Sequence, residues 1–351
     1  MVRSSNLELY RIVCMLAIVA HHFVVNSGLV SPEGPVYMYP SNIKSILLDI
    51  VGMWGKTGIN CFVFITGYFM CTSSITLRKF IKLMLQIYLY KIVIFTILLV
   101  AGYESLSILR VVKLIMPIWG LNSNFTSCFI VFWLTIPFWN ILIKNLNRRQ
   151  HGMLLLLFLF TYTLLGSIPG FGVSFNYVGW FGILYIVASY IRFYPYKVYS
   201  NKLLWFTLTI AFIILAVFSM LVLNHYLGFS RAYYFVSDSN KFFAFAVAFC
   251  SFMWFKNIRI TNSRFINAVG GSTFGVLLIH ASSDAMRTWL WRDTIDCVGH
   301  YDLPTLQLLL YCLGSVFLIF IVCIIIDRIR IRFVEEPILA YYDRRSGKRI
   351  S

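Results

Sequence analysis

Residues 7–29 read LELYRIVCMLAIVAHHFVVNSGL, a mainly apolar run that is long enough to cross a membrane as a helix. A helix rises about 1.5 Å per residue, so about twenty residues span the hydrocarbon core of a bilayer. No small-residue cleavage site follows the apolar residues, and we therefore expect the run to be retained instead of being removed as a signal peptide. It predicts the first transmembrane helix.

Nine further runs of this kind follow along the chain. Of the 351 residues, 60% are hydrophobic and only 12% are charged, which is too little charge to cover the core of a soluble protein. The sequence therefore predicts an all-α integral membrane protein with about ten transmembrane helices and no soluble domain. We place the spans roughly at 7–29, 46–70, 83–102, 126–143, 152–168, 176–195, 203–224, 239–255, 266–290 and 306–327.

The 30 Lys and Arg residues predict the orientation. Alternate loops place 20 of them on one side and 6 on the other, with 4 inside spans. Because cytoplasmic loops are enriched in Lys and Arg, both chain ends are predicted to be cytoplasmic. We divide the chain into a transmembrane domain at 1–337 and a basic cytoplasmic tail at 338–351. The net charge of +17 lies in short clusters without a basic, aromatic-interleaved face, which argues against a nucleic acid partner.

Motifs of soluble enzymes do not account for this chain. It contains no HExxH, no GxSxG and no glycine-rich phosphate loop. Its eight cysteines form no CxxC pair, and most lie in or beside apolar runs, so we expect buried thiols and no metal site. The segment 103–125 holds an apolar stretch, Val111 to Trp119, which is too short to cross and is expected to lie at the interface or to re-enter.

Polar side chains on the first span are unusual for a lipid-facing helix. A charged side chain inside a span costs at least about 2.5 kcal/mol, so it usually faces a cavity or a partner. Glu8, Arg11, His22 and Asn26 fall on one helical face, with Arg11 and His22 about 16 Å apart along the axis, while His21 points to the side. Two interpretations stay open: an interfacial ion pair beside a hydrogen-bonded packing histidine, or a functional stripe.

The ninth span carries a second polar stripe, His280, Asp284 and Arg287, at positions i, i+4 and i+7. His280 lies at a similar predicted depth to His22, in the outer half of the bilayer, where two groups can share a substrate. Asp284 could orient the His280 imidazole. A His–Asp pair without any chemistry is the alternative that the spacing leaves open.

The second span contains a lysine whose partner the sequence does not identify. Lys56 and Asn60 share a helical face one turn apart. Lys56 could bind an anionic group, or it could pair with Glu8 or Asp49.

These residues belong to motifs that extend over nearly the whole chain. The sequence resembles the membrane-bound acyltransferase-3 family, in which an acidic residue lies three positions before an Arg and a His follows after ten more residues. The family's paired arginines appear here as Lys79 and Lys82, and lysine is a weaker bidentate partner for phosphate. The matching motifs are NLELYR (6–11) with His22, GINCFVFITGY (58–68) with Thr66 replacing a serine, IPFWN (136–140), WFGILY (180–185), FGVLLIH (274–280) and EEP (335–337).

The resemblance implies an enzyme of a bacterial cytoplasmic membrane that moves an acyl group, usually acetyl, from acyl-CoA to a hydroxyl of a surface polysaccharide or a lipid-linked glycan precursor. It implies His22 as a base or covalent acyl carrier, and Arg11, held by Glu8, as a donor-anchoring or orienting group. His280 would be a second acid/base or an acceptor-binding group. Acyl-CoA is a substrate and no permanently bound cofactor is expected; membrane lipid and glycan-assembly enzymes are the expected partners. The other assigned residues are Asp284 and Arg287 as supports, Asn26, Lys56, Asn60 and Thr66 as cavity lining, and Lys79 and Lys82 as acyl-CoA ligands.

The sequence alone leaves two other classes of function open. Intramembrane Arg, Lys and His also suit a transporter or flippase for an anionic or sugar substrate. Against this, the sequence shows no internal repeat and no matched pair of Gly/Pro-broken helices. A third possibility is a non-catalytic subunit of a glycan-assembly complex. Labelled acetyl-CoA separates the three, because only an enzyme consumes it and releases coenzyme A.

Overall fold

The computed structural model describes residues 4–121 and 124–346, and every regular element in these residues is helical. Residues 347–351 of the predicted basic tail lie outside the described residues. Three π-helical turns continue α8, α14 and α15, at Phe160–Leu165, Thr288–Thr294 and Ile331–Glu335 respectively. The helices are α1 (Ser5–Val25), α2 (Pro35–Met38), α3 (Ile43–Gly52), α4 (Gly55–Met70), α5 (Leu77–Val100), α6 (Ile108–Ile115), α7 (Phe125–Asn145), α8 (Arg148–Leu159), α9 (Tyr177–Phe193), α10 (Lys202–Leu227), α11 (Phe229–Ala232), α12 (Phe242–Asn257), α13 (Arg264–His280), α14 (Asp284–Arg287), α15 (Thr305–Arg330) and α16 (Glu336–Arg345).

The helices confirm an all-helical membrane protein. Within the described residues, six segments are long and apolar enough to cross a bilayer, and a seventh follows if α13 and α14 form one bent span. A helix overlaps each of the ten predicted spans, but α9 and α12 are shorter, at 17 and 16 residues. The count of ten spans therefore stays a prediction. The six segments are Ser5–Val25, Ile43–Met70, Leu77–Val100, Phe125–Asn145, Lys202–Leu227 and Thr305–Arg345.

Helix α1 lies at the centre, because its residues belong to both of the large apolar clusters. On one side Met15, Val19 and Phe23 pack with residues of α3, α5, α13 and α15. On the other side Leu7 and Tyr10 pack with residues of α4, α7, α9 and α12. A helix buried on two sides is held in position and in rotation, and this determines where its polar stripe points.

Glycines let the neighbouring helices approach α1 closely. A Cβ at Gly55 of α4 would lie 2.3 Å from Cγ of His21, and one at Gly58 would lie 2.7 Å from Ile18. On the opposite side, a Cβ at Gly270 of α13 would lie 2.6 Å from Oε2 of Glu8. Small residues at such contacts allow tight packing where lipid offers no hydrophobic driving force.

The predicted ninth span is not one straight helix, so that expectation was wrong. Helix α13 ends at His280, α14 begins at Asp284, and the two axes differ by 96°. The Ser283 side chain accepts a hydrogen bond from the Met286 amide and so caps the start of α14. Because a serine cap favours a new helix start over continuation, Asp284 and Arg287 do not extend the face that carries His280.

Replacing Gly270 with alanine tests the close contact between α1 and α13. The added Cβ would also lie 2.8 Å from the Glu8 carbonyl oxygen, so we expect Gly270→Ala to lower the free energy of unfolding by about 1–3 kcal/mol. Thermal unfolding in detergent measures the change. Gly314→Ala in α15 is the matched control, because its Cβ would meet no described atom within 4 Å and alanine favours a helix. Equal stability of the two variants would contradict this packing.

Candidate active site

A cavity of about 1100 Å³ lies beside the second half of α1. Its walls come from α1, α4, α5, α6, α13 and α14, together with residues near Tyr177 and Tyr233. The cavity is lined by α1 residues Met15, Ile18, His21, His22 and Val25, and by Asn26 at the end of the helix. The lining therefore includes His22 and Asn26 of the predicted polar face, and also His21, which was expected to point aside. The cavity therefore follows the polar stripe of α1 over its C-terminal half.

The two histidine rings of the predicted stripes lie in contact. The ring centroids of His22 and His280 are 5.1 Å apart, with the planes at 78°. His280 is fully buried, its Nδ1 donates to the Val276 carbonyl at 2.6 Å, and its Nε2 has no hydrogen-bond partner among the described residues. His280 is not among the cavity-lining residues, so it supports the His22 ring from behind.

The side-chain amide of Asn26 holds Nδ1 of His22 from one turn further along α1. An amide offers both a donor and an acceptor, so Asn26 can bind either tautomer of the imidazole. This contact leaves Nε2 of His22 as the ring nitrogen that can face a ligand in the cavity. The neighbouring His21 also lines the cavity, and its Nδ1 donates to the Gly52 carbonyl at 2.6 Å.

Arg11 lies on the same face of α1 but outside the cavity. The cavity lining on α1 begins at Met15, one turn after Arg11. Arg11 forms an ion pair with Glu8 at 3.5 Å, and its side chain is 26% exposed. The structure thus joins Glu8 to Arg11 as the spacing predicted, and it does not place Arg11 in one chamber with His22.

The bend between α13 and α14 changes the partner of Asp284. Its carboxylate lies 2.5 Å from the Arg287 guanidinium, and the Asp284 side chain is 98% exposed. The Val276 carbonyl, and not Asp284, accepts from Nδ1 of His280. The expectation that Asp284 orients His280 was wrong, because the two residues belong to different helices. Both Asp284 and Arg287 still line the cavity.

Of the three residues assigned on α4, only Lys56 lines the cavity, where its Nζ donates to the Tyr177 hydroxyl at 2.7 Å. Asn60 is fully buried; its amide nitrogen donates to the Ser239 carbonyl at 2.7 Å and its oxygen accepts from Nε1 of Trp180 at 2.8 Å. Asn60 therefore joins α4 to α9. The Thr66 hydroxyl donates within α4, to the Phe62 carbonyl at 2.9 Å.

A smaller, basic cavity of about 610 Å³ lies at the other end of α5 and α13. Lys82 lines it and pairs with Glu335 at 2.6 Å. Lys79 does not line it, because its Nζ donates to Oγ of Ser73 and to the Ser74 carbonyl. The other cations that line this cavity are Arg78, Arg264, Arg328 and Arg330.

A buried polar network centred on Asp327 separates the two cavities. Asp327 accepts hydrogen bonds from Tyr90 at 2.8 Å, Gln86 at 3.2 Å and Arg330 at 2.9 Å, and Arg330 also bonds Glu335 at 2.7 Å. Gln86 lines the smaller cavity and Tyr90 the larger one, so one turn of α5 divides them.

Sequence reasoning missed this network, although one signal for it was present. Asp327 is a carboxylate at the end of the last apolar run, three residues before Arg330, which is within pairing distance on a helix. It also missed Tyr233, which lines the larger cavity and donates at 2.9 Å to the buried Asp49. Tyr233 and Tyr177 come from distant parts of the chain, and no local spacing signals their proximity.

Two arginines in one stretch of chain test whether the Asp327 network holds the helices together. Arg330→Met leaves the buried Asp327 without its cation, and we expect a loss of about 3–5 kcal/mol in the free energy of unfolding. Arg332→Met is the control: its pair with Glu336 is 77% and 52% exposed, and the expected loss is below about 1 kcal/mol. Thermal unfolding in one detergent compares them. Wild-type stability of Arg330→Met would exclude this role.

One comparison with known proteins assigns the chain to a family. A family model described as an acyltransferase domain matches residues 4–328, which contain the whole lining of the larger cavity and nine of the sixteen residues that line the smaller one. No curated protein and no solved structure gives a significant match. Because the matched region covers most of the 351 residues, the chain belongs to the acyltransferase-3 family of membrane proteins.

Proposed function

We propose that this protein transfers an acetyl group from acyl-CoA to a hydroxyl of a cell-surface polysaccharide or of its lipid-linked precursor. The observation that carries the proposal is the placement of His22: its ring lines the large cavity, its Nδ1 is held by Asn26, and His280 packs behind it at 5.1 Å. A hydroxyl is a poor nucleophile at neutral pH, and a fixed imidazole can accept its proton.

In the proposed reaction, every proton and every bond made or broken is accounted for. Nε2 of His22 takes the proton from the acceptor hydroxyl while the hydroxyl oxygen attacks the thioester carbonyl carbon. The carbon–sulfur bond breaks, and the departing coenzyme A thiolate takes the proton. As an alternative route, His22 first accepts the acyl group itself and then passes it to the hydroxyl. In both routes the amide of Asn26 stabilises the ring as its charge changes.

The smaller cavity is the site that we propose for the phosphates of acyl-CoA. Five cations line it against three carboxylates, Glu335, Glu336 and Asp343, and this excess of two positive charges would attract a polyanion. Lys82 is one of the two lysines that the sequence assigns to this role. Glu8 packs against Gly270, whose neighbour Gly271 lines this cavity. This contact supports a donor-side role for the Glu8–Arg11 pair. From Gly271 to His280 is about 14 Å along α13, at about 1.5 Å per residue.

A ten-span topology with both ends in the cytoplasm agrees with this arrangement. It puts the N-terminal end of α1 and the smaller cavity on the cytoplasmic side, where acyl-CoA is made. It puts the C-terminal ends of α1 and α13, with the large cavity, in the outer half of the membrane. The 20-to-6 distribution of Lys and Arg supports the same orientation.

The break between α13 and α14 favours a second candidate, a transporter, because broken helices line the substrate sites of many transporters. Within the described residues it is one bent pair, without the matched partner that inverted repeats would supply. Release of coenzyme A from labelled acetyl-CoA by the purified protein distinguishes the candidates, since a transporter leaves the thioester intact.

Replacing His22 tests the enzyme. We expect His22→Ala and His22→Gln to lower acetyl transfer to the acceptor by at least about a hundredfold, because each removes the proton acceptor. The readouts are coenzyme A release and acetylated product in nanodiscs. His225→Ala, an exposed histidine at the end of α10, is the control and should keep wild-type activity. Wild-type transfer by correctly inserted His22→Ala would remove His22 from the mechanism.

Cysteine labelling tests the topology. The eight native cysteines are all buried, so an introduced exposed cysteine gives the main signal with an impermeant maleimide. Glu33→Cys should react in intact cells, and Arg149→Cys only after the membrane is permeabilised. Both positions are exposed. The opposite pattern would reverse the assigned orientation.

A further inference from the structure

The large cavity is lined by more positive than negative side chains. Five cations line it, Lys56, Lys91, Arg110, Lys113 and Arg287, against two carboxylates, Glu104 and Asp284. Arg110 pairs with Glu104, and Arg287 pairs with Asp284. The three lysines have no carboxylate partner among the described residues, and this excess charge favours an anionic ligand.

Three of these cations lie together along α5 and α6. Lys91 of α5 donates from Nζ to the Lys113 carbonyl at 2.9 Å, and the Tyr88 hydroxyl donates to the Ile115 carbonyl at 2.8 Å. These bonds fix α6 across α5, so that Arg110 and Lys113 face the cavity beside Lys91. Lys91, Lys113 and Arg110 thus present positive charge to one wall of the cavity, and positive charge of this kind attracts a phosphate.

The other face of α6 is apolar and exposed. Ile108 is 86% exposed and Ile115 is 62% exposed, and Leu109 is exposed as well. A short helix with one apolar and one basic face lies in the membrane interface, with its apolar face among the lipids. The cations of α6 are therefore placed at the boundary between lipid and cavity.

The wall beside α6 faces lipid too. On α5 the side chains of Ile92, Val93 and Ile97 are exposed, while Ile94 and Lys91 of the same helix turn toward the cavity. Trp119, which follows α6, lines the cavity and is still 44% exposed. A ligand that reaches the cavity past α6 and Trp119 therefore arrives along an apolar surface and meets cations inside.

From this arrangement we propose that the α5–α6 cluster, Lys91, Arg110 and Lys113, binds the phosphate or diphosphate group of a membrane lipid that enters past α6. The lipid chain stays in the bilayer against the exposed face of α5 and α6, and the headgroup points toward His22. This rests on the proposed function, because it selects the lipid-linked precursor over the free polysaccharide as acceptor.

The test measures lipid binding in the absence of acyl-CoA, in the His22→Ala variant, so that it does not depend on transfer. The probe is farnesyl diphosphate, added to the detergent-purified full chain and followed by thermophoresis. Inorganic diphosphate supplies the same anion without a lipid, and phosphatidylglycerol supplies a phosphate on a bulk lipid. We expect farnesyl diphosphate to bind at least about tenfold more tightly than inorganic diphosphate.

Lys113→Gln should weaken farnesyl diphosphate binding about tenfold, because it removes one charge-assisted hydrogen bond and no side-chain contact that holds α6. Lys91→Arg should retain binding, and Lys202→Gln, an exposed lysine at the start of α10, is the control. Equal affinity of Lys113→Gln and the control, or equally tight binding of inorganic diphosphate, would overturn the proposal. Equal competition by phosphatidylglycerol would overturn the choice of a lipid-linked glycan and assign the site to a bulk phospholipid.

The binding test and the transfer test have independent outcomes, so failure of the lipid site can be distinguished from failure of the proposed chemistry. Wild-type binding of farnesyl diphosphate by Lys113→Gln, together with the expected loss of transfer in His22→Ala, would keep the enzyme and remove the lipid site. Weakened farnesyl diphosphate binding in Lys113→Gln, together with wild-type transfer by His22→Ala, would keep the lipid site and remove the proposed chemistry.

Discussion

The close approach of α1 to two glycine-bearing helices is the constraint on which the rest of the structure depends. Gly55 of α4 leaves room for the His21 ring, and Gly270 of α13 leaves room for Glu8. Contacts at both ends of α1 prevent it from sliding or rotating between its neighbours. They thereby set the depth of His22 and bring its ring against that of His280, which a looser packing would separate.

The same close packing explains how this membrane protein accommodates charged side chains between its helices. A bilayer supplies no water to an unpaired polar group, so each group needs a partner in the protein or a hydrated cavity. Gly275 of α13 lets Asp327 of α15 approach within 2.3 Å of where a Cβ would lie, and three donors then surround its carboxylate. The network closes the space between the cavities with hydrogen bonds where apolar packing would otherwise be needed.

The sequence predicted the all-helical membrane fold, the Glu8–Arg11 pair and the shared depth of the two histidines, because each follows from a helical period or from run length. The sequence-based prediction was wrong where the backbone departs from the regular helical repeat. The serine cap at Ser283 bends the chain by 96°, and the assumed continuation from His280 to Asp284 is lost. The sequence also did not predict that Asn60 is buried against Trp180, or that the cations of α6 line the cavity with His22. Both depend on contacts between segments that are distant in the chain.

The bend after His280 has a further consequence for how charge is distributed. A straight helix would carry Arg287 about 10 Å beyond His280 along the α13 axis, at about 1.5 Å per residue. The turn instead brings Arg287 into the cavity wall, on the same cavity as Lys113. Cations therefore line both the large and the smaller cavity, and His22 lies in the wall of the large one, beside Asn26, His21 and His280. If the donor binds at the smaller cavity and the acceptor at the large one, as proposed above, each is held by its own charges, and the acyl group has to pass the Asp327 network to reach the imidazole.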